Sequence, residues 1–151
     1  MREYRKATRD DFKHIVKLGK LMHEESSYSH LEFSEDRLLF TVERNLEDLN
    51  SILYIAMEDS EPVGLYAGFV SKYFFSDELV ANDVAWYVIP EKRGSQIALR
   101  LLDMFQLWAK DRGVSETRLG FTTDIKGEKF NSLMKKLGYD QVGYTYRLKG
   151  E

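Results

Sequence analysis

The segment from Val80 to Trp108, VANDVAWYVIPEKRGSQIALRLLDMFQLW, constrains the fold more than any other part of the chain. Val80 to Ile89 is dense in β-branched and aromatic residues, which favour a pleated, half-buried strand. Ile97, Leu101, Phe105 and Trp108 then recur at helical spacing and define a long amphipathic helix ending near Gly113. PEKRGSQ between them is a turn. A strand that passes into a helix through such a turn leaves the helix's first N–H groups without partners, and that end attracts anions.

The remaining elements follow from the same patterns. Arg2 to Ala7 alternates weakly as a strand and stops at Thr8-Arg9-Asp10-Asp11, where Thr8 caps a helix and Asp11 favours its positive end. Phe12, Ile15, Val16 and Met22 carry that helix to about Met22, and HEESSYSHLEF is too polar and irregular to continue it. A second helix runs from the Ser34 cap to about Leu49. Ile52 to Met57 and Val63 to Val70 form an antiparallel hairpin across the polar EDSEP turn, with Gly64 and Gly68 marking close backbone approach. Arg118 to Thr122 gives a strand, Lys126 to Lys136 a helix closed by Gly138, and Val142 to Leu148 a last strand. The order β, α, α, β, β, β, α, β, α, β predicts an α/β (α+β) protein with a mixed sheet covered by helices.

A length of 151 residues, 43% of them hydrophobic, predicts one domain over residues 1–151 with a single packed core. The net charge of -3 comes from 22 basic and 25 acidic residues without a basic run, which argues against a nucleic-acid partner. Without cysteine there is no thiolate nucleophile or thiolate metal ligand. His14, His23 and His30 have no metal-ligand spacing, so no metal is expected. The amino terminus holds no apolar stretch, which predicts neither signal peptide nor membrane span and a cytoplasmic location.

WYVIPEKRGSQIALRLL, WAKDRGV and KKLGYDQVG together resemble the GNAT superfamily of acetyl-CoA-dependent N-acetyltransferases, and in element order the likeness covers nearly the whole chain. MHEES and KYFFSDELVANDVAWYV are similar to small acetyltransferases of bacteriophage genomes. The resemblance implies a mostly antiparallel sheet with a splayed central strand, about four flanking helices, and room for only one of the two usual carboxyl-terminal strands. It implies acetyl-CoA as cofactor. The family loop Gln/Arg-x-x-Gly-x-Gly/Ala falls on Arg93, Gly94, Ser95, Gln96, Ile97 and Ala98, with Gln96 in a glycine position. The donors in such a loop are backbone groups, so Gln96 weakens or re-aims it without abolishing it. Trp86, Tyr87 and Val88 then lie beside the pantetheine arm.

Acetyl transfer to an amine needs a base for its proton and an acid for the departing thiolate. The acid that many family members carry in the last helix falls on Met134, which cannot donate, leaving Tyr139, Tyr144 and Tyr146 as substitutes. For the base, Asp83 shares strand parity with Ala85 and Tyr87 on the presumed splayed strand, and Glu25 follows in the loop after the first helix. With no cysteine to carry an acyl group, transfer is direct. Glu24, Glu25 and Asp83 would form an acidic wall favouring a cationic acceptor, either a small amine or a protein amine. Gln96 and Met134 motivate a second reading, a GNAT-fold CoA-binding or interaction protein that turns over weakly. A shortened sheet leaves an edge at Val142 to Leu148, which predicts a homodimer there.

Overall fold

The computed structural model describes residues 1–120 and 128–150. Five strands form one sheet in the order β1-β2-β3-β4-β5: β1 (Arg2–Lys6), β2 (Ser51–Glu58), β3 (Glu61–Lys72), β4 (Leu79–Val88) and β5 (Glu116–Arg118). The first four pair antiparallel, and β5 runs parallel to β4. Helices α1 (Phe12–Glu25), α2 (Glu35–Glu47), α3 (Ile97–Asp111) and α4 (Glu128–Lys136) cover the sheet.

Local chemistry sets the boundaries. Thr8 and Asp11 form the expected reciprocal cap, and Asp11 is also held by Arg5 at 2.6 Å. The β2–β3 turn has Asp59 and Ser60 both at positive φ, the backbone of a two-residue hairpin loop whose twist matches its strands. α1 continues through Glu25 instead of ending near Met22. Ser26 closes it by returning both its N–H and its hydroxyl to the His23 carbonyl.

Two cores sandwich the sheet. Residues 52, 54 and 56 of β2, with Tyr66 of β3 and Val88 of β4, pack against Ile97, Leu101 and Phe105 of α3. The alternate residues, among them Leu53, Ile55, Leu65, Ala67 and Tyr87, pack against Ile15 and Leu18 of α1 and Val42 of α2. Gly64 and Gly68 are where α3 comes closest. A Cβ on Gly68 would lie 2.3 Å from the Phe105 ring.

The carboxyl-terminal strand expected over Val142 to Leu148 does not form, since residues 139–150 pair with no strand among the described residues. Val142, Tyr144, Tyr146 and Leu148 are exposed, so no buried face rewards the alternation that predicts them extended. Arg147 instead donates to the Ser27 carbonyl in the loop after α1. The strand expected over Arg118 to Thr122 begins earlier, at Glu116, and Thr122 lies outside the described residues, as does Lys126 of the last helix.

Candidate functional site

Two irregularities in β4 shape the site. Its pairing with β5 covers only Val80, Ala81 and Asn82, so from Asp83 onward the β5-side edge of β4 has no strand pairing among the described residues. Against β3, Ala85 pairs with Ala67 and Asp83 with Gly68, leaving Val84 as an extra, bulged residue. Strand parity places Asp83 on the face of Ala85 and Tyr87, but the bulge reverses this. Asp83 shares the α3-covered face with Tyr66, which lies two residues before its partner Gly68.

The Asp83 carboxylate accepts a hydrogen bond from the Gly120 N–H at 3.0 Å. Burial raises the carboxyl to about 6, and the Gly120 hydrogen bond opposes the rise. The Tyr66 hydroxyl is fully buried and has no hydrogen-bond partner among the described residues, and burial followed by the Asp83 charge pushes its pKa up. Sequence reasoning missed Tyr66, because only the bulge brings it onto the face of Asp83.

Asp83 opens onto two spaces. One is a cleft of about 790 Å³ towards α4, which Tyr139 and Tyr144 also line. Tyr139 accepts a hydrogen bond from the Gln106 amide, and burial raises its pKa. Tyr144 is 77% exposed, and Met134 is packed in the core. The other is a cavity of about 360 Å³ between α1, α2 and β4, lined by Met22, Phe33 and Leu38 with Asp83, Ala85 and Trp86. Glu24 and Glu25 line neither of these spaces, so the expected acidic wall reduces to Asp83 among the described residues. Glu25 instead pairs with Arg93.

The turn after β4 matches an anion site in its backbone. Positive φ falls on Gly94, at 82°, whereas Gln96 has φ −81°, which any L-residue adopts. The glycine position that the family loop would fill at Gln96 therefore makes no steric demand. Arg100 is the first α3 residue whose N–H reaches a helix carbonyl, that of Gln96, and Ile97 donates to the Ser95 hydroxyl at 3.4 Å. The N–H groups of Ala98 and Leu99 find no carbonyl partner in the turn and stand free among the described residues. A Cβ at Gly94 would meet nothing within 4 Å, so the space beside the loop is open. These donors and the unpaired edge of β4 fit a pyrophosphate with an extended amide-bearing arm.

The side chains of the strand are otherwise engaged. Trp86 donates its indole N–H to the Ala98 carbonyl at 3.2 Å, tying β4 to the first turn of α3. Val88 is in the α3 core. Tyr87 packs towards α1 and α2, its hydroxyl pushed up to about 12 by burial and by the nearby Glu25 charge. Only the backbone of these three residues is left for an extended ligand. The Arg93 guanidinium lies over the Tyr87 ring at 5.4 Å and donates to the Val88 carbonyl at 3.0 Å, so its charge is turned to Glu25 and the strand end.

Comparison with known proteins agrees with this geometry. No curated protein sequence matches the chain. Among solved structures it is similar to the aminoglycoside N-acetyltransferase AAC(6')-Iy in complex with CoA, with a TM-score of 0.79 and 17% identity over 99% of this chain and 95% of that one. It is similar to an acetyltransferase from Clostridium acetobutylicum solved with acetyl-CoA, at TM-score 0.77 and 20% identity over 99% and 96% of the two chains. Glucosamine-6-phosphate N-acetyltransferase from Arabidopsis thaliana gives 0.76 and 13% over 100% and 99%. At these identities the likeness is one of fold. The profile of the acetyltransferase (GNAT) family matches residues 15–139, taking in β4, its bulge, the turn after it and α4. The chain belongs to that family, whose enzymes are acyltransferases drawing on acetyl-CoA.

Proposed function

We propose that this chain is a single-domain N-acetyltransferase that passes an acetyl group from acetyl-CoA directly to a primary amine, with Asp83 as the base. The observation that carries this reading is the position of Asp83, a half-buried carboxyl raised to about 6, at the bulge where β4 loses its neighbour. A base titrating near 6 is ionised at neutral pH and still basic enough to take a proton. Acetyl-CoA supplies the activated acyl group. The α3 amino terminus from Gly94 to Leu99 holds its phosphates, and the backbone of Trp86 to Val88 pairs with its arm. Absence of cysteine favours direct transfer without an acyl-enzyme.

Tyr139 is the best placed acid of the three tyrosines. Because it accepts from Gln106, its own proton remains free to donate across the cleft that it shares with Asp83. Tyr144, exposed on the same cleft, is the second choice. Glu25 serves this site by holding Arg93 and so the loop.

CoA added at about 100 times its Kd is expected to stabilise the protein by about 2.7 kcal/mol, read as a rise in melting temperature. Gly94→Val should remove most of that ligand-induced shift, because a β-branched residue is strained at a φ of 82°. An unmodified protein whose melting temperature ignores saturating CoA would contradict this reading. A CoA shift without turnover on any amine would favour the alternative, a CoA-binding or interaction protein, which the buried Met134 in place of an acid motivates.

The reading extends to a cytoplasmic homodimer. Tyr144 and Tyr146 sit with ring centroids 6.5 Å apart on the exposed tail, apolar surface that a second copy would cover. Light scattering at micromolar concentration is expected to give twice 17.7 kDa, falling to one chain's mass on truncation after Gly143. A single-chain mass for the intact protein would exclude the dimer.

A further inference from the structure

The acceptor's chemistry is written in the cavity between α1, α2 and β4. Gly19 makes this cavity possible by letting α2 close on α1, since a Cβ there would come within 2.7 Å of Leu38. Leu38, Met22 and Phe33 then form an apolar wall facing Ala85 and Trp86 at the open edge of β4. Among the described residues that line it, Asp83 is the only acid. Lys20 places its ammonium 6.0 Å from the Phe33 ring centroid.

We propose that the acceptor is a small monoamine on an aromatic or branched aliphatic body, and that polycations are excluded. This rests on the acetyl-transfer reading given above. A polyamine or amino sugar brings several ammonium or hydroxyl groups, each of which loses water on entry and needs a partner. His23, Ser26 and Tyr28 also line the cavity, but His23 is hydrogen-bonded to the Leu31 carbonyl and the Ser26 hydroxyl to the His23 carbonyl. Most of the wall is therefore methyl groups and rings, and the Lys20 ammonium beside Phe33 repels further positive charge. A single ammonium meets Asp83 while an apolar body fills the space against Phe33 and Leu38. In the transfer, the ammonium gives one proton to Asp83, the amine nitrogen bonds to the acetyl carbon, and the carbon–sulfur bond breaks to release CoA thiolate. The second proton, lost from nitrogen as the amide forms, passes to that thiolate, which leaves as the free thiol.

The test measures thiol release by the full chain at saturating acetyl-CoA with phenethylamine, isoamylamine, ethylamine, spermidine, neamine and a lysine-bearing peptide. Phenethylamine or isoamylamine is expected to exceed spermidine and neamine in kcat/KM by about tenfold or more. Phe33→Ala should raise KM for phenethylamine by about tenfold and lower its preference over ethylamine correspondingly. Preference for spermidine, neamine or the peptide would overturn the inference while leaving acetyl transfer intact. Thiol release with none of the amines, in a protein whose melting temperature still rises with CoA, would defeat the acetyl-transfer reading and this inference with it.

Discussion

Asp83→Asn is expected to lower kcat by about 10²–10⁴-fold, the usual contribution of a positioned general base. The amide keeps an oxygen to accept from the Gly120 N–H, so the local backbone has no reason to move. In the unmodified enzyme the rate should fall as pH drops through about 6, where Asp83 takes up a proton. That acidic limb should be missing from the residual activity of the variant. Stability carries the same signature with the opposite sign. The folded carboxyl titrates above its unfolded value of about 4, so burying its charge costs nothing below pH 4, progressively more up to about 6, and its full amount above that. Asp83→Asn should therefore be more stable than the parent at pH 7, with the advantage gone at pH 4 in urea titrations. A kcat within threefold of the parent, or an unchanged acidic limb, would remove Asp83 from the base role.

Gly68→Ala is expected to destabilise the fold by about 3 kcal/mol, the upper end for overpacking. The new Cβ would lie 2.3 and 2.7 Å from two Phe105 ring carbons and 2.8 Å from the Asn82 carbonyl oxygen. Neither neighbour yields easily. Phe105 is fully buried and stacked on Tyr66 at 4.5 Å, and the Asn82 carbonyl belongs to the strand backbone just before the bulge. Phe105→Leu in the same chain should recover part of the loss, giving a coupling energy in a double-mutant cycle. Urea denaturation reads both. A Gly68→Ala change within about 0.5 kcal/mol of the parent, the scale of a neutral surface substitution, would mean that α3 is free to back away from the sheet.

Much of this architecture is legible in the sequence because its signals are local. The Thr8 cap, the EDSEP turn and the stripe from Ile97 to Trp108 each depend on residues within a few positions of one another. The close approach at Gly64 and Gly68 is likewise foreshadowed by glycines standing in a strand. The turn between β4 and α3 is readable because the donors it offers are backbone atoms, which makes Gln96 a tolerable departure once its φ proves helical. What escapes the sequence is non-local. Nothing near Arg93 foretells that its charge is spent on Glu25, 68 residues away. Nothing in the tail says that Val142 to Leu148 finds no strand partner among the described residues, because period-two alternation records a preference and not a neighbour. The facing of Asp83 escapes as well, since parity holds only while a strand keeps step with its partner.

Val84 contributes no chemistry of its own, yet it decides which side of the sheet receives the carboxylate. Alternation along a strand is arithmetic: an odd insertion exchanges inside for outside for everything on one side of it. Removing Val84 would leave every polar and charged residue of the site in the sequence and still take Asp83 off the face of Tyr66 and out of the α4 cleft, leaving it to the α1–α2 cavity alone. In this chain the identity of the carboxylate and its address are thus stored separately, one in a residue type and the other in a count. A relative one residue shorter at this point would have to place its carboxylate at a neighbouring position to keep it on the same face.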